Sequence, residues 1–312
     1  QLISPTTSKM RLKQIVKNSH DMIYYISMLS TTGGKLKVSP EKILQEYSKI
    51  KNQNRSKNVV IGFGITEKTI NSLKKIRLKL IGVGYKNIVS SFDICNDISL
   101  LSGKRKYGQI IASKLDISPE NPANFNIPFI ERVLTVNLKL NGKKIKIHTT
   151  HAPPGSTNGV VKINHFKGIY DYFLNSKHDI HILTGDFNTP KYEHKELGLI
   201  TWGQDITKNN EIVFSRAKES DGCSAEEWDE SERKIMLGLP SIGLKDVYRE
   251  LYSYDIEDYS WILKRKGKII SQRRYDHIFA STIFNYISAE YIHSPLDTRI
   301  SDHSALLVNL YI

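Results

Sequence analysis

The chain has 312 residues, 39% of them hydrophobic and 25% charged, so it is long enough to bury the core of one large or two ordinary domains. No apolar run approaches the ~18 residues of a membrane span, the start lacks the basic and apolar regions of a signal peptide, and the two cysteines give neither a disulfide framework nor a zinc motif. These exclusions predict a protein of the reducing cytoplasm with no membrane span. The net charge of +13 favours a polyanionic partner, nucleic acid or a phosphorylated substrate, although a general bias toward Lys, Asn and Ile gives the same charge.

Strand and helix patterns alternate over the first 76 residues. Strands are predicted at 1–5, 22–28 and 59–65, and helices at 8–18, 39–53 and 66–76. Such alternation is typical of βαβ units with parallel strands. Glycines stand where two of these strands end, at 30–35 and 62–65. They either make tight turns or let backbone amides approach an anion at a helix N-terminus.

Three stretches of this segment, "LISPTT", "MIYYISMLSTTGGK" and "VVIGFGITEKTI", resemble consecutive loops of the tryptophan synthase alpha subunit, a TIM barrel. The resemblance covers about residues 1–73 and implies that the latter two loops contact a substrate phosphate. The family's two catalytic carboxylates lie on earlier strands and have no counterpart here. Because a third of a barrel cannot close, residues 1–76 are predicted to form a partial barrel segment without the family's lyase activity.

From about residue 77 the pattern changes to short alternating strands. "RVLTVNLKL" and "KKIKIHTTH" flank Asn141-Gly142, which predicts a hairpin. Further strands are predicted at 108–114 (a buried one), 179–186, 273–281 and 304–312, with a helix at 165–176. This mixture predicts an α+β sandwich for residues 77–312, and the strands within residues 22–76 are expected to extend one of its sheets.

The stretch "HILTGDFNTP", residues 181–190, ends an apolar strand in a carboxylate and a carboxamide two residues apart. Asp186, Asn188 and Pro190 suit an ordinary turn. If the extended path continues through Phe187, however, Asp186 and Asn188 share one face of the strand. A carboxylate that takes a proton from water would then lie beside an amide that donates to an oxyanion, which suits phosphoester hydrolysis.

Polar residues follow apolar strands at four places in this half: His151 in "TTHAPPG", Asp186 and Asn188 in "GDFN", Asp276 in "RRYDHIF", and Asp302 and His303 in "SDHS". In this order they resemble the endonuclease/exonuclease/phosphatase superfamily of metal-dependent phosphodiesterases, over about residues 77–312. Arg274 and the upstream Trp261 fit the same pattern. The resemblance implies a two-sheet α/β sandwich and a site for Mg²⁺ or Mn²⁺, ions that prefer oxygen ligands.

The resemblance also implies roles for single residues. Asp186 orients or deprotonates the attacking water, Asn188 donates to the phosphate, and His151 holds a phosphate oxygen. Arg274 is a further candidate phosphate ligand. Positive charge at the phosphate oxygens is what such a reaction needs.

The remaining implied roles concern the acid and the metal. His303 contacts the phosphate as acid or electrostatic stabiliser, Asp276 fixes its ring, and Asp302 serves the metal. Family members carry a main metal-ligand Glu at the end of a second strand, but Ile65 stands at that place here. Glu67, two residues later, is a candidate replacement ligand, although it also suits the first turn of a helix capped by Thr66.

The leading hypothesis is therefore a metal-dependent phosphodiesterase or phosphatase impaired by the lost glutamate. One alternative is a lyase fragment of the tryptophan pathway acting on indole-glycerol phosphate, which an assay for indole would reveal. The other is a non-catalytic binder of phosphorylated ligands, which a metal titration would separate from the enzyme.

Overall fold

The computed structural model describes residues 2–3, 9–18, 22–26, 58–62, 84–94, 108–155, 159–216, 222–266, 268–298 and 301–312. The chain divides into two compact units. The smaller unit contains residues 1–88, 112–116 and 292–304, and the larger contains residues 89–111, 117–291 and 305–312. The division into residues 1–76 and 77–312 that the sequence suggests stays a prediction.

The strands of the described residues are β1 Leu2–Ile3, β2 Met22–Ile26, β3 Asn58–Gly62, β4 Asn87–Ser90, β5 Ile110–Ser113, β6 Ile117–Glu120, β7 Val133–Leu140, β8 Lys143–His151, β9 Ile180–Asp186, β10 Tyr192–His194, β11 Gly198–Ile200, β12 Gln204–Ile206, β13 Ile212–Phe214, β14 Leu244–Asp246, β15 Trp261–Arg265, β16 Lys268–Arg273, β17 Asp276–Ser281, β18 Asn285–Ile292 and β19 Ala305–Tyr311. The helices are α1 Lys9–Asn18, α2 Ser91–Ile94, α3 Gly159–Asn175, α4 Ala225–Arg233, α5 Leu239–Ser241, α6 Val247–Tyr252 and α7 Ser294–Asp297. Single 3₁₀ turns lie at Pro122–Phe125 and Ile130–Arg132, and a π-helical turn at Lys234–Gly238. Within this part of the chain, no helix is long and apolar enough to cross a membrane.

The smaller unit begins with the predicted βα pattern. Helix α1 joins strands β1 and β2 and buries Leu12 and Val16, as its apolar spacing predicts. Strand β2 lies between β1 and β3 and pairs with both in parallel. Because these strands form a sheet of their own among the described residues, the expectation that they extend the sandwich was wrong. The helices predicted at 39–53 and 66–76, together with Glu67, lie outside the described residues.

A six-stranded mixed sheet in the order β14-β17-β9-β8-β7-β6 forms the centre of the larger unit. Its strand pairs are antiparallel except for β8 and β9, which run parallel and are joined by α3. The predicted hairpin of β7 and β8 is present, and Asn141 and Gly142 turn it with φ of 51° and 75°. Positive φ at both central residues is what a two-residue type I′ turn requires.

Apolar side chains cover both faces of this sheet. On one face, Phe166 and Ile169 of α3 belong to a core cluster with Leu183 and Phe279 from the strands. On the other, Ala289 of β18 packs in a cluster with residues of β7, β8 and β17. Strands β18 and β19 form a second, two-stranded sheet. The larger unit is therefore the predicted α+β sandwich, with helices on the outer side of its main sheet.

Two details of the sequence prediction were wrong. The strand predicted as buried at 108–114 is β5, in which exposed and half-buried residues alternate and Ile110 is 37% exposed. Burial depends on a covering layer, which a short apolar run does not reveal. Helix α3 begins at Gly159, earlier than the predicted start at residue 165.

Candidate active site

Three strands of the main sheet end at the same place. His151 at the end of β8 is the register partner of Asp186 at the end of β9, and Asp186 is also the partner of Asp276 at the start of β17. Backbone pairing continues one residue further on both sides, because the Ala152 amide donates to the Asp186 carbonyl and the Phe187 amide to the Tyr275 carbonyl, each at 2.8 Å. The sheet thus brings together three of the predicted site residues.

Gly185, immediately before Asp186, allows β8 and β9 to approach each other here. Its φ is +146°, and a Cβ atom at this position would lie 1.9 Å from the Thr150 carbonyl oxygen. Only glycine fits both the backbone conformation and the space. The Gly-Asp sequence of the motif therefore has a structural cause.

The Asp186 carboxylate is half-buried and accepts bonds from its neighbours. Its Oδ1 accepts the backbone N–H of Asn188 at 2.8 Å, and its Oδ2 lies 3.3 Å from Asn188 Nδ2 and 3.6 Å from His151 Nε2. The side chain remains 19% exposed and that of His151 remains 23% exposed. A small polar molecule can therefore reach both groups.

The Asp186–Asn188 pair forms by a different route from the one predicted. Asn188 has a φ of 51°, so the chain turns there instead of continuing as an extended strand. The carboxylate that accepts the amide two residues ahead makes an Asx turn. This turn, not strand alternation, points the Asn188 amide back at Asp186, and its Nδ2 also donates to the Ala152 carbonyl at 3.0 Å. A phosphate oxygen that binds Nδ2 must therefore displace the longer bond to Asp186.

The start of β17 is held by Ser260, a fully buried residue that directly precedes Trp261. Its Oγ accepts the backbone amides of Tyr275 at 2.8 Å and of Asp276 at 3.0 Å. The Trp261 ring packs on Tyr275 with centroids 5.4 Å apart. These contacts explain physically why Trp261 accompanies the Asp276 motif.

The structure places Arg274 between two carboxylates, an arrangement that does not favour the phosphate contact, which stays a prediction. Its side chain is fully buried, and its guanidinium group bonds Glu193 at 2.7 and 2.8 Å and Asp246 at 3.2 Å, with a further bond to Asp246. Burial opposes ionisation of Glu193, but Arg274 and Arg249 outweigh it and lower its pKa to about 2. The pKa of Asp246 is likewise held far below its usual range, against burial, by Arg274 and His277. Because it binds two ionised carboxylates, Arg274 connects the start of β17 to β14 and β10.

Asp302 and His303 lie in residues 292–304, which belong to the smaller unit. The His303 backbone amide donates to Ser301 Oγ at 2.9 Å. Their convergence with Asp186 and Asp276, and the ligand role of Glu67, which lies outside the described residues, stay predictions.

Asp186 and Asp276 face each other directly across β9 and β17. In such a pair the Cβ atoms are about 5 Å apart, and two like charges are destabilising. A divalent cation relieves this repulsion, and carboxylate oxygens are ligands that Mg²⁺ and Mn²⁺ accept. The donor set at this edge therefore fits the metal that the resemblance implies.

The sequence did not reveal four buried titratable residues next to the site: Lys162, Glu232, Asp246 and His277. Lys162 Nζ donates to the Asn188 carbonyl at 2.8 Å and His277 Nε2 to the Thr189 carbonyl at 2.8 Å. One signal was present, because Lys162 interrupts the apolar run "GVVKINHF". A charge in such a run is buried only when it is paired.

Comparison with known families separates the two ends of the chain. Residues 1–83 match the family model described as "Tryptophan synthase alpha chain". The tryptophan synthase alpha chain of Pelagibacter ubique (strain HTCC1062) is 58% identical over 106 residues, which make up 34% of this chain and 37% of that relative. The chain therefore spans little more than a third of the length of the curated relative that it matches.

Comparison with solved structures concerns the fold. The crystal structure of humanized D. rerio TDP2 by 14 mutations superposes with a TM-score of 0.51 at 12% identity, covering 100% of this chain and 97% of that chain. An endonuclease/exonuclease/phosphatase family protein from Leptotrichia buccalis C-1013-b superposes with a TM-score of 0.45 at 14% identity, covering 96% and 91% of the two chains. The N-terminal resemblance is confirmed by its family model. The superposition on the D. rerio structure supports the mixed α/β fold predicted for the chain.

Proposed function

We propose that the chain hydrolyses phosphoesters or phosphodiesters with Mg²⁺ or Mn²⁺ as cofactor. The observation that carries this proposal is the register of β8, β9 and β17, which sets His151, Asp186 and Asp276 side by side at one edge of the sheet. The half-buried Asp186 carboxylate supplies a proton acceptor. The imidazole and the carboxamide next to it supply hydrogen-bond donors to a phosphate.

In this proposal Asp186 orients the attacking water and takes its proton. Asn188 Nδ2 and His151 Nε2 bind non-bridging phosphate oxygens, and the charge that develops there is stabilised by these donors. His303 acts as acid or electrostatic stabiliser with Asp276 fixing its ring. Asp302, with Glu67 as a further candidate ligand, would hold the divalent ion with the help of the facing Asp186 and Asp276 carboxylates, and the ion would neutralise charge on the leaving oxygen.

The substrate we favour is a polyanion such as nucleic acid. The support is the net charge of +13, which raises the local concentration of polyanions at low salt. We place the protein in the cytoplasm. We divide the chain into a tryptophan-synthase-alpha-like segment, residues 1–76, and a phosphodiesterase-like domain, residues 77–312, and the family match at residues 1–83 supports the first of these.

A second candidate function is the lyase reaction on indole-glycerol phosphate. Its support is the match of residues 1–83 to the tryptophan synthase alpha chain model. The third possibility is a non-catalytic binder of phosphorylated ligands that keeps the groove of the proposed hydrolase but not its metal.

The test is a panel of reactions run with one preparation of the full chain. Bis-aryl phosphate and plasmid DNA are assayed across a titration of Mg²⁺ and Mn²⁺, and indole release is measured separately. We expect slow, metal-dependent hydrolysis that requires high metal concentrations, because Mg²⁺ dehydrates reluctantly and depends on one or two carboxylates. Ile65→Glu should raise the metal affinity. Indole release without hydrolysis would favour the lyase, and neither reaction would favour the binder.

A further inference from the structure

Two consecutive carbonyl groups follow the Asp186 turn, and a buried side chain donates to each. Lys162 Nζ, on α3, lies 2.8 Å from the Asn188 carbonyl oxygen. His277 Nε2, on β17, lies 2.8 Å from the Thr189 carbonyl oxygen. Lys162 and His277 are 0% and 1% exposed. Two successive peptide groups are thus held: Asn188–Thr189 from a helix and Thr189–Pro190 from a strand.

A buried carboxylate stands behind each of these donors. Lys162 Nζ donates to Glu232 Oε1 at 2.7 Å, and that oxygen also accepts Trp228 Nε1 at 2.8 Å. The second Glu232 oxygen accepts the backbone amide of Trp202 at 2.8 Å. With its negative charge fully hydrogen-bonded, Glu232 fixes the position of the ammonium group of Lys162.

The arrangement around His277 has the same form. Its Nδ1 lies 3.2 Å from Asp246 Oδ2, and the carboxylate of Asp246 is bonded to Arg274. The imidazole ring is wedged between two aromatic rings, edge-on to Phe187 and stacked on Phe279, with centroids 5.6 and 5.9 Å away. The ring therefore has one orientation, in which Nε2 is directed at Thr189.

These contacts act on the conformation of Asn188. Its φ of 51° lies in the left-handed region, which costs a non-glycine residue free energy. That conformation directs both the backbone amide and Nδ2 of Asn188 at Asp186. Asparagine tolerates this region better than most residues, but the turn keeps one geometry only if the surrounding contacts determine it.

We propose that Lys162 and His277, backed by Glu232 and Asp246, are positioning residues that hold Asn188 in the conformation required for phosphate binding and water activation at Asp186. We call these four residues the loop clamp. The inference rests on the proposed hydrolase function. It assigns these buried residues a role in the geometry of the site, in addition to any contribution to the stability of the fold.

The first variant is His277→Phe. Phenylalanine keeps the ring packing on Phe279 but removes two contacts of the imidazole, the bond to Thr189 and the one to Asp246, which stays bonded to Arg274. The second is Lys162→Met/Glu232→Gln, which removes the lysine without leaving a bare buried carboxylate. The matched control is Lys146→Met. Lys146 lies on β8, away from this loop, and forms ion pairs with Asp179 at 2.9 Å and Glu120 at 3.4 Å.

Each variant is compared with wild type in the melting temperature, in kcat and KM for bis-aryl phosphate with Mn²⁺, and in the ¹⁵N resonances of the Asn188 backbone and side-chain amides. We expect the clamp variants to lose on the order of 10²-fold in kcat, since misplacement by about 1 Å has that effect, and to show a higher KM because Asn188 also binds the phosphate. Their Asn188 resonances should move, whereas the Lys146→Met protein should lose melting temperature but keep both kcat and these resonances.

The outcomes separate the two hypotheses. If the clamp variants keep the wild-type kcat, or lose no more of it than Lys146→Met, the loop clamp is overturned. If the wild type shows no metal-dependent hydrolysis, the proposed function fails, and the Asn188 resonances alone decide the clamp: unchanged signals refute it and displaced signals support it. If the double variant does not fold, the same measurements on His277→Phe decide between these outcomes.

Discussion

Lowering the pH should destabilise this protein through histidines that are buried and neutral. His165 of α3 is fully buried, and its Nε2 bonds Thr150 Oγ1 at 2.9 Å. Its Nδ1 has no hydrogen-bond partner among the described residues. Burial, with smaller contributions from the positive charges of Arg132, His151 and Lys162, lowers its pKa from 6.5 to about 3. The folded protein therefore excludes a proton that the unfolded chain accepts.

The size of the effect follows from proton linkage. A group whose pKa is lower in the folded state costs stability as the pH falls below the unfolded pKa of 6.5, and the loss continues down to the folded pKa of about 3. One pKa unit corresponds to about 1.4 kcal/mol, so His165 alone should lower the free energy of unfolding by about 2 kcal/mol between pH 7 and pH 5. Burial lowers the pKa of His148 and of His181 as well, which adds to the loss in the same direction.

Urea unfolding of wild type and His165→Gln at pH 7, 6 and 5 measures this contribution. Glutamine can keep a bond to Thr150 but does not titrate, so the difference between pH 7 and pH 5 should shrink by about 2 kcal/mol whatever the stability at pH 7. His178→Gln, at an exposed position on the surface, is the control for replacing a histidine that is not buried. Equal pH dependence in wild type and His165→Gln would refute the assignment.

Two further substitutions test the backbone and the buried charges by chemical denaturation. Gly185→Ala should lower the free energy of unfolding by more than about 2 kcal/mol, because its Cβ would overlap the Thr150 carbonyl. Gly142→Ala is the control: it has a φ of 75° and open space around it, so it should cost only about 1 kcal/mol of backbone strain. Equal costs would contradict the close approach of β8 and β9. Arg274→Met should cost about 3–5 kcal/mol because it leaves two buried carboxylates without their shared cation, and a loss under about 1 kcal/mol would mean that the arginine is not buried as described.

The parts of the fold that local patterns determine were predicted well. Strands β7 and β8 with the Asn141-Gly142 turn follow from alternation and turn chemistry, and both appear at nearly the predicted bounds. The exposure of β5 and the separate sheet of β1, β2 and β3 depend on which layer covers which strand. That information lies in contacts between distant residues, and no local pattern carries it.

The candidate site shows the same division. Strand ends predicted the neighbourhood of His151, Asp186 and Asp276, because the residue types and the strand pattern are local. The turn at Asn188 and the burial of Arg274 were not predicted, since both depend on side chains from other elements. A motif arginine looks the same in sequence whether it contacts a phosphate or lies between two carboxylates.

The proposed metal-dependent hydrolysis at Asp186 is tested most directly by the rate of bis-aryl phosphate hydrolysis as a function of Mn²⁺ concentration. The proteins compared are wild type, Asp186→Asn and Asp171→Asn. Asp171 is an exposed aspartate on α3 and serves as the matched control. Wild type and Asp171→Asn should show the same saturable dependence on Mn²⁺, and Asp186→Asn should be slower by a factor on the order of 10²–10⁴ at every concentration, because it loses the proton acceptor. Hydrolysis that is independent of Mn²⁺, or an Asp186→Asn protein as fast as wild type, would contradict the account.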